Sequence, residues 1–174
     1  MNTLEAIANR KSTRSFRAEQ ISEESLEIIL KAGCAAPVAM ARYDSLHITI
    51  VQKDEIIAEI FDEASDMITK TIGHKMDMNY GAKTLVVVSS TPIHRSGTDC
   101  VNVGIVVENM VLAATDIGVD SCIMGAPIAS LAQNTDLSNK IGIPEGFTPI
   151  LGVVFGYATE KESPKQHTIS INRI

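Results

Sequence analysis

A chain of 174 residues, 45% apolar and 21% charged, has the size and balance of one folded domain with a real core, which excludes a disordered chain. Its net charge of −6 and pI near 5.2 set the molecule as a whole against nucleic acid and anionic membrane. The three cysteines, Cys34, Cys100 and Cys122, form no CxxC pair and argue for a reducing compartment rather than a disulfide framework.

The first predicted element is a short helix over "TLEAIANR", with Thr3 as N-cap and Leu4 and Ile7 facing the core. "ISEESLEIILKAG" predicts a second helix, capped by Ser22, stapled by Ile21 and Leu26, and stopped by Gly33. Ser25 holds the place that Glu or Gln takes in a full capping box. "SLHITIV" alternates Leu46, Ile48 and Ile50 against His47, Thr49 and Val51, the pattern of a half-buried strand. "DEIIAEIFDEASDMITKTI" has helical spacing with Asp54 as its cap, and "TLVVVSS" is a continuous apolar run of strand length, hence a central strand.

"DCVNVGIVVENMVLAATDIG" follows and ends at Gly118. On a 3.6-residue helix its Val101, Val106, Val107, Met110, Val111 and Leu112 point to every side. A helix apolar all round is buried all round, so a second subunit is expected to supply part of its cover. "DSCIMGAP" reads as a short strand or turn, "LAQNTDLSNKIG" as a polar helix, "TPILGVVFGYA" as the last core strand and "TEKESPKQHTISINRI" as a tail. No repeat, low-complexity tract or linker interrupts residues 1–174, which predicts a single domain, an α+β or α/β sandwich.

Chemistry is narrowed first by what is missing. There is no HExxH, GxSxG, GxGxxG or Walker A loop, and His47, His74, His94 and His167 lack ligand spacing, so no metal is expected. Glu5 precedes any apolar run, so the N-terminus predicts no secretory signal. No window approaches about 18 uninterrupted apolar residues, and the protein is expected in the cytoplasm.

One stretch stands out against the acidic whole. "NRKSTRSF" gathers Arg10, Lys11 and Arg14 among Ser12, Thr13 and Ser15, Arg17 follows, and the nearest carboxylates are Glu5 and Glu19. In an extended segment alternate residues face the same way, so Arg10, Ser12 and Arg14 share a face. Two guanidinium forks with a hydroxyl between them suit a phosphate. A solvated basic turn has the same composition, and spacing alone does not choose between the two.

The segment resembles the N-terminal signature of the FMN-dependent nitroreductases, R-x-S-x-R-x-[FY], at Arg10, Ser12, Arg14 and Phe16. The likeness continues in order. "AGCAAPVAMARYDSLHITIV" stands where the family has A-P-S-x-x-N-x-Q-P-W before a strand, and "YGAKTLVVVSS" matches its entry into a central strand. "NVGIVVENMVLAATDIGVDSCIMGA" is similar to its long buried helix and flavin-edge loop, and "PILGVVFGYATEKESPKQH" to its last strand and basic tail.

The resemblance implies an α+β sandwich, a mostly antiparallel sheet flanked by helices, in an intertwined homodimer with FMN at the interface. It implies a ping-pong oxidoreductase: NAD(P)H reduces FMN, and a nitroaromatic, quinone or similar flat acceptor then takes the electrons, with no catalytic side chain required. Arg10 and Ser12 would hold the FMN phosphate and upper ribityl chain, and Arg14 the ribityl hydroxyls or pyrimidine edge. Lys165 and His167 would add to the phosphate site. Backbone N–H groups of Met124 and Gly125 would face the reactive ring edge, and Pro37, Val38 and Ala39 of a second subunit would lie along the flavin.

The departures cluster after Pro37. The family's serines are Val38 and Ala39 here, its asparagine is Ala41, its glutamine Tyr43 and its Pro-Trp Asp44-Ser45. The chain is also short for the family, so helices that roof the site are expected reduced or absent. Three rival expectations are a dehalogenase or azoline oxidase of the same family, a non-enzymatic FMN store or sensor, and a binder of another phosphorylated metabolite.

Overall fold

The computed structural model describes residues 1–73, 78, 80–92, 97–160, 163 and 167–174. Six α-helices and four strands are described: α1 (Thr3–Asn9), α2 (Glu23–Cys34), β1 (Leu46–Val51), α3 (Asp54–Ile72), β2 (Thr84–Ser90), α4 (Thr98–Asp116), β3 (Asp120–Met124), α5 (Ala126–Leu131), α6 (Thr135–Lys140) and β4 (Thr148–Gly156). The strands form one sheet in the order β1-β2-β4-β3, and every neighbouring pair is antiparallel. The fold is α+β.

Why the sheet sits in the middle follows from β2. All seven of its residues are buried, and alternate side chains enter two separate cores. Leu85 and Val87 join Phe16, Ile57, Ile60, Phe61, Ile128 and Val154 on the side of α3 and α5. Val86 and Val88 join Leu26, Ile29, Val103, Val107, Met110 and Phe155 on the side of α2 and α4. A continuous apolar run is the pattern such a two-sided strand requires. No helix among the described residues is long and apolar enough to cross a membrane.

Several local expectations need correction. The cap of α1 is Asn2, not Thr3: its side chain accepts from Glu5 N–H while the Glu5 carboxylate accepts from Asn2 N–H, a full capping box one residue earlier. Leu4 and Ile7 are exposed, and Ala6 is the buried residue of that helix. Ser22 does cap α2, but Gly33 does not stop it. Gly33 lies inside the last turn because a Cβ there would come within 2.8 Å of Met110 Cγ on α4. It is a close-approach glycine.

Asp54 begins α3 rather than capping it; the N-cap is Lys53, with no side-chain bond. On β1, Thr49 and Val51 are buried while Ile50 is exposed, the reverse of the expected sides at that end. The polar stretch over residues 131–142 forms one short helix, α6, and a second short helix, α5, precedes it where a strand or turn is expected to end. The helix read as apolar all round buries Val103, Val106, Val107, Met110 and Val111 within its own chain, together with Asn102. Val101 is left 60% exposed.

Candidate functional site

The basic segment lies along the outer edge of β3. Thr13 N–H donates to Ser121 O at 2.9 Å, and Ser12 and Ser121 form a parallel bridge, so the segment covers what would be an open sheet edge. Farther on, Phe16 N–H donates to Tyr80 O and Arg17 N–H to Tyr157 O. The Phe16 ring enters the core beside Gly156, where a Cβ would meet Phe16 Cδ1 at 2.9 Å. The aromatic at the end of the motif is therefore a structural anchor.

Alternation holds over residues 11–14, read by what each side chain reaches. Lys11 Nζ lies 3.9 Å from Asp120 Oδ1, and the buried Thr13 hydroxyl donates to the same oxygen at 3.4 Å. Ser12 and Arg14 instead bear on the Cys122 thiol. Burial dominates there and pushes the Cys122 thiol up, against the pull of Arg14 and then Ser12. The thiol donates to Ile123 O at 3.8 Å.

Arg10 sits at the C-cap of α1, where its Nε lies 3.9 Å from Glu108 Oε1 of α4. Arg14 is exposed, and its Nη1 donates to Ser12 O at 3.5 Å. These contacts are long, and water is within reach of each, so the guanidinium groups keep donors for a ligand.

Asp120 is the residue that sequence reasoning missed. Besides Lys11 and Thr13, its Oδ2 accepts from Ala158 N–H at 3.0 Å, tying the basic segment to the end of β4. It stands in the quoted "DSCIMGA", but nothing local marks it as the partner of Thr13, 107 positions away.

Met124 is buried at the end of β3, and Gly125 is the exposed N-cap of α5. A Cβ at Gly125 would meet nothing within 4 Å, so its surface is open to a flat group. His167 is exposed in the tail, while Lys165 lies outside the described residues.

Pro37, Val38 and Ala39 lie in a different place from the basic segment. They follow α2 in a loop whose 3₁₀ turn, Ala39–Ala41, contains two non-glycine residues with positive φ, Met40 at 57° and Ala41 at 53°. Left-handed backbone disfavours such residues by roughly 1–2 kcal/mol each. The side chains that depart from the family pattern close the loop on itself. Arg42 donates to Asp44 from Nε at 3.0 Å and from Nη2 at 3.3 Å, and the Arg42 hydrogen bond holds the Asp44 carboxyl below its ordinary range. The buried Ser45 hydroxyl donates to Arg42 O at 2.6 Å. Ala39 N–H donates to Asn102 Oδ1 on α4 at 3.1 Å, a contact unforeseen because Asn102 is polar in an apolar run.

A cavity of about 440 Å³ below this loop is lined by apolar groups, among them Gly33, Val38, Tyr43, Leu46 and Val106. Two other cavities flank the basic segment. One, of about 420 Å³, includes Lys11, Arg17, Asp120 and Tyr157; the other, of about 280 Å³, includes Lys11, Thr13, Arg14 and Ser15. Among the described residues, neither of these two cavities is lined by a residue of the 37–43 loop.

Fold and segment together define an α+β sandwich with a cationic, hydroxyl-bearing strip on its sheet edge. The chain belongs to the nitroreductase family, whose model matches residues 7–157. It is 24% identical over 177 aligned residues to an NADPH-flavin oxidoreductase of Vibrio harveyi, covering 94% of this chain and 69% of that one. It is 28% identical over 163 residues to a protein of Archaeoglobus fulgidus named as a putative NADH dehydrogenase/NAD(P)H nitroreductase, covering 91% and 87%. A solved nitroreductase with bound FMN from Desulfitobacterium hafniense superimposes with a TM-score of 0.84 at 28% identity, covering 99% of this chain and 100% of that one.

Proposed function

We propose that the protein is an FMN-dependent NAD(P)H oxidoreductase that reduces nitroaromatics, quinones or similar flat acceptors in a ping-pong cycle. The observation that carries this reading is the alternation of residues 11–14. Lys11 and Thr13 are engaged by Asp120, whereas the exposed Arg14 turns its Nη1 toward Ser12 O at 3.5 Å, with Arg10 close in sequence. That donor set, two guanidinium groups and a hydroxyl, is the chemistry of a phosphate cradle.

In this reading Arg10 and Ser12 hold the phosphate of FMN, with Lys165 and His167 of the tail adding cations. Arg14 reaches the ribityl chain or the pyrimidine edge. Met124 and Gly125 present backbone at the ring, where the open space beside Gly125 admits a flat group. The flavin supplies the two-electron chemistry, and the chain's part is to bind, orient and stabilise charge on the pyrimidine side.

Pro37, Val38 and Ala39 would reach the flavin from a second copy of the chain. That they line neither cavity beside the basic strip supports this, as do apolar residues left without cover. Ile169 and Ile171 in the tail are 86% and 84% exposed, and Val101 on α4 is uncovered too. A homodimer is the arrangement that would bury them. Three free thiols suit a reducing cytoplasm.

An absorbance spectrum taken anaerobically before and after NADH or NADPH tests the reading. A yellow protein whose flavin band is bleached is expected. A colourless protein that takes up no FMN contradicts the cofactor, and a yellow one that resists both donors contradicts the reductase.

A further inference from the structure

The loop after α2 holds Met40 and Ala41 in backbone conformations that neither residue favours, so something must hold them there. Within the loop, Ala41 N–H donates to Val38 O and Arg42 N–H to Ala39 O, but these bonds travel with the loop wherever it goes. Its far end is tied where Thr91 N–H donates to Ser45 O. At the kink itself, Ala39 N–H donates to Asn102 Oδ1, a bond that reaches the body of the fold.

Asn102 is an odd tenant of its position. It is 1% exposed on the buried side of α4, and its Nδ2 has no hydrogen-bond partner among the described residues. A buried donor left unpaired opposes folding, and leucine would fill similar space among Val103 and Val106 without it. The amide is thus a poor choice for core stability, and its contact is made by the oxygen that holds Ala39. Val106, one turn beyond Asn102, lines the apolar cavity together with Val38 and Tyr43 of the loop. The orientation of the loop therefore sets that cavity's wall.

We propose that Asn102 is a positioning residue for acceptor selection: through Ala39 it fixes the strained loop of residues 38–43, and so the wall that this loop presents to an acceptor. The proposal rests on the flavoenzyme reading for its acceptor half, and on hydrogen bonding alone for its loop half. Asn102 itself is buried, so its part is to position rather than to react.

The test uses Asn102→Leu in the full-length protein, with three readouts. Amide exchange at Ala39 is expected to quicken about fivefold or more, the equivalent of one ordinary hydrogen bond of about 1 kcal/mol. Tm is expected to hold or rise. The ratio of kcat/KM for p-benzoquinone against 4-nitrobenzoate should shift by a similar factor, mainly through KM, while the rate of bleaching by NADH stays within about twofold. Asn102→Asp keeps an oxygen for Ala39 and should restore slow exchange and the original ratio at a lower Tm. A fall in Tm with Ala39 exchange unchanged would make Asn102 a packing residue and overturn the proposal. Fast exchange with an unchanged acceptor ratio would overturn the selection role. A wild type that binds no flavin removes the acceptor half along with the function, and Ala39 exchange then still decides the loop half.

Discussion

The basic segment and the loop after α2 are held by opposite means. Residues 10–16 are extended, relaxed and rich in side-chain chemistry, and they are fastened by polar contacts to Asp120, Glu108 and the edge of β3. Residues 37–45 turn Arg42, Asp44 and Ser45 onto the loop itself, are strained at two positions, and are seated on the close packing of α2 against α4. Binding chemistry sits on the relaxed element, and shape on the strained one. Strain at a wall is tolerable where a rigid platform lies beneath it.

The comparison breaks most visibly at the platform. Gly33→Leu would drive a side chain into the fully buried Met110, and overpacking of this kind costs about 2–3 kcal/mol. At about 2–4 °C per kcal/mol for a domain of this size, thermal denaturation should show Tm lower by roughly 4–12 °C. An unchanged Tm would mean that α2 and α4 are not in close contact at Gly33.

At the other region, Asp120→Ala removes the acceptor for Ala158 N–H and for the Thr13 hydroxyl, together with the charge facing Lys11. A loss of about 1–2 kcal/mol is expected in urea denaturation, with looser FMN binding because the strip loses its seat. Stability lost with FMN affinity intact would separate Asp120 from the ligand site.

These two effects bear on what could be read from the sequence. The central strand, the long helices and the basic motif were legible because each is a local pattern: a continuous apolar run, a 3.6 period, cations at alternate positions. The residues that set the site in place were not. Asp120 and Asn102 act across 107 and 63 positions, and each is a single polar residue with no local signature. Gly33 looked like a helix stop because close approach to Met110 and chain termination call for the same amino acid. Leu4 and Ile7 were assigned inward because the pattern marks an apolar stripe without saying what covers it.

Smaller changes sharpen the contrast. Ala41→Gly relieves left-handed strain and loses some of it again to greater freedom in the unfolded chain, for a net gain of about 0.5–1 kcal/mol. Asparagine also tolerates that conformation, so Ala41→Asn should be accommodated and should alter acceptor preference more than FMN affinity. Either substitution lowering Tm by several degrees would show that the loop is not strained at this position.

The smallest effect lies at Cys122. Its folded pKa is raised by burial, so its contribution to stability is complete below the ordinary thiol range and is lost as pH rises toward the folded value. Stability measured across the alkaline limb should therefore fall less steeply in Cys122→Ala than in the wild type. Identical limbs would place the thiol in a solvated setting.

The central claim is that the strip holding Arg10, Ser12 and Arg14 binds the phosphate of a flavin. Titration of FMN and of riboflavin, which lacks the phosphate, into wild type and Arg10→Ala tests it directly. Removing one charge-assisted contact of roughly 1.5–3 kcal/mol should weaken FMN about 10- to 100-fold and riboflavin far less. Equal losses for the two ligands would place Arg10 away from the phosphate and contradict the account.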